Sequence, residues 1–306
     1  MIKDSLRLPL SIETIHAAKK TIKEYARTTP LVQSMFLSAF TDGQVFLKLE
    51  NMQLTGSFKF RGAFNKIAQL TEEEKSKGVI AVSAGNHAQG VALTSKLLGI
   101  KSTIVMPETA PLAKVKATES YGAEVILQGK NFNEAKEYCE KLLEQTNVTY
   151  IPPYDDPHVM AGQGTVGLEI LDYAWDVDTV IVPVGGGGLI AGVATALKTF
   201  NEQIQIIGVQ AENIHGMTAS YKEGKRLGHA ISPTIADGCA VEYPGKLTFE
   251  VVKELVDDMI TVTEEEIKVD QYVQGKKVIA VVSGGNVDLS KMSGVIGQFT
   301  LANELR

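Results

Sequence analysis

Residues 179–200 read TVIVPVGGGGLIAGVATALKTF. A short run rich in Val and Ile ends in four consecutive glycines, Gly185 to Gly188, and an apolar helical pattern begins at once. Continuous β-branched runs of this length mark strands covered on both faces, as in parallel sheets. A strand that turns directly into a helix is half of a βαβ unit, and such units connect right-handed into an open parallel sheet. The theme recurs along the chain. GVIAVSAGNHAQGVALTSKLLGI (78–100), STIVMPETAPLAKVKATESYGAEVIL (102–127), FNEAKEYCEKLLEQTNVTYIPPY (132–154) and IQIIGVQAENIHGMTASYKEG (204–224) alternate strand and helix patterns. No repeat period or low-complexity tract interrupts them.

At 306 residues the chain exceeds what one compact core usually holds. The expected fold is therefore α/β in two domains, each an open, mostly parallel twisted sheet flanked by helices. The prolines and acids of IPPYDDP, Ile151 to Pro157, mark one break, and Glu50 to Thr55 marks another. Residues 53–154 then form a smaller domain inserted between 1–52 and 155–306 of a larger one. Ligands of such sheets sit beyond the carboxyl ends of the strands, where every unusual loop of this sequence falls.

The bulk composition excludes several classes. A net charge of −6 argues against nucleic-acid or anionic-membrane partners, which call for clustered Lys and Arg. Cys139 and Cys239 lie far apart with no metal-ligand spacing, which fits a reduced, cytoplasmic setting. The N-terminal residues have no long apolar core, so no signal peptide is expected, and no apolar run reaches the length of a membrane span.

Three loops carry chemistry. Four glycines remove every Cβ, so successive N–H groups can curl around an anion at a helix N-terminus; a phosphate is the natural guest. A close strand–helix contact would also want small residues, but two glycines would satisfy it. The loop is neither a Walker A motif nor GxGxxG. VSAGNHAQG (82–90) is a second strand-to-helix turn, with Ser83, Gly85, Asn86 and His87 at one helix start; by itself it reads equally well as a cap. VVSGGNVDLS (281–290) is a third, with Ser283 at a strand end; by itself it is a turn. Lys59, in TGSFKFRGA (55–63), lies between Phe58 and Phe60 and is either a snorkelling surface residue or a tuned amine. Taken together, a phosphate loop, a lysine, an asparagine and a serine ask for one object. Pyridoxal 5′-phosphate has an aldehyde, a phosphate, a phenolic oxygen and a ring nitrogen to meet them.

TGSFKFRGA, SAGNHAQG, AGQGTVGLEI, VPVGGGGLIAG, IADG and VSGGNVDLS occur in that order over nearly the whole chain. As a set they resemble the fold-type II pyridoxal-phosphate enzymes, and within them the short, catabolic threonine/serine dehydratases. The resemblance implies that Lys59 anchors the cofactor and removes the substrate α-proton. It places Phe58 against the pyridine ring, Asn86 at the phenolic oxygen, Gly185, Gly186, Gly187, Gly188 and Leu189 around the phosphate, and Ser283 at the ring nitrogen. Ser83, Ala84, Gly85, Asn86 and His87 would take the substrate carboxylate. A serine at the ring nitrogen does not enforce protonation, which suits β-elimination and disfavours transamination. The implied reaction is L-threonine to 2-oxobutanoate and ammonia, with L-serine to pyruvate in parallel, in a homodimer or homotetramer.

The resemblance has departures. Phe60 is larger than the aliphatic residue the dehydratases carry there. Ala84 stands where serine racemases of the family have serine, which disfavours racemisation, the nearest alternative activity. Gln210 and Gly216 replace expected acidic ligands, so no metal site is expected, and His16, His158, His215 and His229 are scattered. Relatives have a longer stretch between Val269 and Asp270: either a segment is omitted from the sequence, the preferred reading, or the deletion is real, which would favour a non-catalytic binding protein on the same fold. No amino-acid-sensing regulatory domain, and hence no isoleucine feedback, is expected.

Overall fold

The computed structural model describes residues 8–230, 232, 234–263 and 273–286. The junction Val269–Asp270 lies outside them. The described strands are β1 (Leu31–Gln33), β2 (Gln44–Leu49), β3 (Val79–Val82), β4 (Ser102–Met106), β5 (Glu124–Leu127), β6 (Thr149–Tyr150), β7 (Thr179–Pro183), β8 (Gln205–Ala211), β9 (Asp258–Val262) and β10 (Lys277–Val282). Eleven α-helices are described: α1 (Ile12–Ile22), α2 (Met35–Thr41), α3 (Lys59–Ala68), α4 (Glu72–Lys77), α5 (Asn86–Leu98), α6 (Leu112–Ser120), α7 (Phe132–Thr146), α8 (Pro157–Tyr173), α9 (Gly188–Phe200), α10 (Gly216–Glu223) and α11 (Lys246–Leu255).

Two sheets result. One has the order β5-β4-β3-β6 and is parallel throughout. The other has the order β1-β2-β10-β7-β8-β9 and is parallel except for β1, which pairs antiparallel with β2 at its edge. The α/β class expected from the alternating pattern is the one observed. The strands read as continuous apolar runs are the buried ones: all four residues of β3 and four of the five in β7 are buried. Each fully buried Val or Ile contributes about 1.5–3 kcal/mol relative to exposure.

The helices between the sheets approach closely because glycines face one another. A Cβ on Gly162 of α8 would lie 2.6 Å from the Cα of Gly62 in α3, and one on Gly192 of α9 would lie 2.5 Å from the Gly164 amide nitrogen of α8. These crossings hold α3, the helix that starts at Lys59, against α8 of the larger sheet, while α3 also packs on α5 of the smaller one. The C-terminal ends of β3, β7 and β10 therefore open into one cleft.

Candidate active site

Lys59 is the first residue of α3, and the strand-like strap before it is pinned to the end of β10. The Phe58 N–H donates to the Ser283 carbonyl (3.1 Å), and the Gly285 N–H donates to the Gly56 carbonyl (3.0 Å). Thr55 and Gly56 take left-handed conformations, φ 62° and 70°, to make the turn. The Lys59 ammonium donates to the Pro153 carbonyl at 2.7 Å and lies 5.2 Å from the centre of the Phe58 ring. The side chain is reachable from the cleft yet surrounded by protein. Burial pushes its amine down to about 8, and the neighbouring Cys239 thiol opposes this only in part. Phe60 is not part of that frame. One residue further on in the helix, it faces away, is fully buried and packs with Phe64, ring centres 5.6 Å apart, and Ile22. Its extra bulk relative to an aliphatic residue is absorbed by that core.

Behind Lys59 lies a buried ionic network that sequence reasoning missed. The Arg61 guanidinium, 1% exposed, donates from Nε and Nη2 to Glu50 at 2.8 Å each, and from Nη1 and Nη2 to Glu169 at 2.6 and 2.9 Å. The Lys48 ammonium donates to Glu169 (2.5 Å) and to the Thr29 carbonyl (2.7 Å). Two cations meet two carboxylates, so no charge is left unpaired. Burial works against the Arg61 cation, but Glu50 and Glu169 outweigh it and hold its pKa above the ordinary value. The available signal was four charges set in or beside apolar runs, Lys48 and Glu50 in FLKLE, Arg61 in FKFRGAF and Glu169 in GLEIL.

The tetraglycine loop leaves the end of β7 and enters α9. Among the described residues, the N–H groups of Gly185 through Leu189 have no hydrogen-bond partner, and the helix start has no side-chain cap. The outer side of the loop is fixed: the Gly186 carbonyl accepts from the Thr248 hydroxyl (2.6 Å) and the Gly245 N–H (3.2 Å). Gly187 sits at φ +98°, and a Cβ there would lie 2.5 Å from Met217 Cε. Such a row of open donors at a helix N-terminus fits a phosphate. We expect Gly187→Val to weaken retention of pyridoxal phosphate at least about tenfold, because a β-branched side chain resists this φ and pushes on Met217. Equilibrium dialysis beside a thermal melt checks this; unchanged affinity would place the phosphate elsewhere.

The second loop leaves β3 and enters α5. The N–H groups of Asn86, His87 and Ala88 have no partner among the described residues, and Gly85, at the cap position, supplies no side chain. The Gly85 N–H donates to the Ser83 hydroxyl at 3.1 Å. The His87 ring turns inward, Nε2 lying 2.9 Å from the Ile151 carbonyl. Burial, reinforced by the nearby Lys59 charge, pushes its pKa down to about 3, so the imidazole stays neutral. Any donation by His87 to the cleft comes from its backbone. Ala84 lies half-buried against the core of the smaller sheet, and Ser283 directly follows β10, its carbonyl accepting from the Phe58 N–H.

The segment read as a break, Ile151 to Pro157, ties the site together. Pro153 holds the lysine, and Tyr154 lies against the glycine loop, where a Cβ on Gly186 would be 2.4 Å from its ring. Asp155 accepts from the Lys246, Leu247 and Thr248 N–H groups (2.9, 2.8 and 3.2 Å), capping α11 from a distance. Asp156 caps α8 and pairs with Lys66 of α3 at 2.7 Å. Acids just after prolines carried the signal of helix starts, though not of which helix. Gln210 bridges the Val184 carbonyl (3.2 Å) and the Thr218 N–H (2.8 Å). Among the described residues no cluster of three or more His, Cys, Asp or Glu is placed to hold a metal, and no helix is long and apolar enough to cross a membrane.

Comparisons with known proteins give the family. Residues 22–271 match the model of the family described as pyridoxal-phosphate dependent enzyme. The L-threonine dehydratase catabolic TdcB of Staphylococcus aureus (strain USA300) is 58% identical over 318 aligned positions, covering 94% of this chain and 92% of that protein. Those positions outnumber the 306 residues of this chain, so at least a dozen residues of the relative have no counterpart here. The processed form of threonine deaminase isoform 2 from Solanum lycopersicum superposes with a TM-score of 0.88 at 37% identity, over 94% of this chain and 88% of that one. Maize serine racemase follows with a TM-score of 0.87 at 34% identity, over 97% and 99%. The chain belongs to the pyridoxal-phosphate-dependent enzyme family of the fold-type II class.

Proposed function

We propose that this chain is an L-threonine ammonia-lyase that releases 2-oxobutanoate and ammonia, with L-serine to pyruvate as a parallel activity. The observation that carries the reading is the Lys59 amine. It is depressed to about 8 by burial and lies in one cleft with two helix N-termini whose N–H groups are open. An ordinary lysine, near 10.4, would be almost wholly protonated at neutral pH and a poor base. When bound, pyridoxal phosphate supplies the aldehyde for attachment and the electron sink for loss of the α-proton.

The chain's own residues divide the remaining work. Lys59 anchors the cofactor and, once freed, takes the proton from the substrate α-carbon. Phe58 backs the pyridine ring, and Ser283 meets its nitrogen without forcing a positive charge there. Gly185 to Leu189 hold the phosphate through backbone N–H groups. The N–H groups at the start of α5, from the Ser83–His87 loop, hold the substrate carboxylate, and Asn86 donates to the phenolic oxygen. Residues 53–154 act as the smaller domain against 1–52 and 155–306. Assembly as a homodimer or homotetramer and a cytoplasmic location complete the proposal; Cys139 and Cys239 are both free thiols, as a reducing compartment permits.

Ala84 bears on the competing racemase reading. Its methyl group can neither donate nor accept a proton on the substrate face opposite Lys59. The test is 2-oxo-acid release from L-threonine and L-serine side by side, with D-serine measured in the same L-serine reactions. Both oxo acids are expected from the parent enzyme, with little D-serine. Ala84→Ser is expected to raise D-serine, by less than the roughly 10²–10⁴-fold of a complete acid–base group, while pyruvate continues. Racemisation by the parent at a rate comparable to elimination would reverse the assignment.

A further inference from the structure

Asn86 has a free donor whose direction is set from outside its own helix. Its Oδ1 accepts from the Asn286 amide at 2.9 Å. The same Asn286 Nδ2 donates to the Thr55 carbonyl at 2.6 Å. A backbone carbonyl can only accept, so the Asn286 atom facing it is the NH2 group. That group can only donate, so the Asn86 atom facing it is the oxygen. The Asn86 Nδ2 is thereby left pointing away from Asn286, and it makes no hydrogen bond among the described residues. It faces bare backbone: a Cβ on Gly284 would lie 3.2 Å from it and one on Gly238 would lie 3.5 Å. The amide chain thus starts at a strained residue, Thr55 at φ 62°, four positions before Lys59.

We infer that Asn286 is a positioning residue: it orients the Asn86 amide so that only an N–H, never the carbonyl oxygen, meets the cofactor's phenolic oxygen. The inference rests on the assignment of Asn86 made above. A donor at that oxygen favours its ionised form; a carbonyl there would require the oxygen to keep its proton. Asn286 therefore helps set the ionisation of the bound cofactor without touching it. Asn286→Asp keeps the shape but, ionised at pH 8, can only accept. The Asn86 amide would then turn its NH2 toward the new carboxylate and its oxygen toward the cofactor.

The test uses the full chain loaded with pyridoxal phosphate at pH 8. It compares the parent with Asn286→Asp, Asn286→Ala, Asn86→Ala and the Asn86→Ala/Asn286→Ala double variant. Two quantities are read: the absorbance of the bound cofactor and its dissociation constant. Asn286→Asp is expected to move absorbance from the long-wavelength band of the ionised phenol to the short-wavelength band of the neutral one. Its affinity should fall about tenfold, the size of one lost hydrogen bond. Asn286→Ala should weaken affinity in the parent but by less than about twofold once Asn86 is already alanine, because the two act in series. Additive losses, or an unchanged spectrum in Asn286→Asp while Asn86→Ala alters it, would overturn the positioning role and leave Asn286 a mere tie for the strap. If Asn86→Ala itself changes neither quantity, the assignment of Asn86 fails, and this proposal with it.

Discussion

Lys59→Ala is expected to lower 2-oxobutanoate release from L-threonine to below about a thousandth of the parent rate. On the roles proposed above, the substitution removes two functions at once, the covalent anchor and the proton acceptor, and general acid–base help alone is worth roughly 10²–10⁴-fold. The fold should survive. Among the described residues Lys59 is in no ion pair and makes a single hydrogen bond, to the Pro153 carbonyl, so its loss relieves a poorly solvated amine without stranding a partner charge there. The measurements are steady-state oxo-acid formation with added cofactor and a thermal melt of the same preparation. A tenth of the parent activity retained would remove Lys59 from the reaction. The depressed basicity also predicts how the parent apoprotein takes up its cofactor. The amine must be neutral to attack the aldehyde, and it is protonated below about 8 and neutral above it. The rate of reconstitution should therefore rise with pH through about 8 rather than through the usual lysine range.

Arg61→Met is expected to have the opposite profile, a loss of stability before any loss of chemistry. It leaves Glu50 and Glu169, both nearly without solvent, with Lys48 as the one cation of the network among the described residues. Breaking a buried pair from one side costs about 3–5 kcal/mol, far more than an intact pair contributes, because an uncompensated charge remains. The urea midpoint of the apoprotein should fall clearly, and adding cofactor should recover part of the loss by mass action. A midpoint within experimental error of the parent would mean that water or a rearranged Lys48 replaces the guanidinium. The network has an acid limit too. Desolvation works against the Glu169 carboxylate, but Arg61 and Lys48 outweigh it and hold its pKa below the usual value. Its stabilisation is therefore complete above the ordinary carboxylate range and is lost as pH falls through that lowered value.

The two variants separate what the local sequence announces from what the fold assembles. Glycine runs, β-branched strands and helix starts are local signals. They place the glycine loop at Gly185–Gly188, the turn with open N–H groups at Ser83–His87 and the parallel sheets around them, because each depends on residues within one turn or one strand of each other. Lys59 was legible for the same reason, as one amine in an apolar frame. The direction of each neighbour was not. Phe58 and Phe60 look equivalent in a string, yet residues two apart at a helix start point about 200° apart, so one faces the amine and the other the core.

The rest belongs to the tertiary structure. Arg61 finds Glu169 across 108 positions, and Asn286 finds Thr55 across 231. Ile151–Pro157 reads as a domain break by composition and becomes the strut between lysine, glycine loop and two helix caps. Buried charges and amides are satisfied by whichever partner the packing brings to within about 3 Å, and that choice has no period and no local spacing to read. The sequence by itself determined which loops are open to a ligand. Only the folded chain decided what holds the lysine, which way Asn86 turns, and how four buried charges come to neutral.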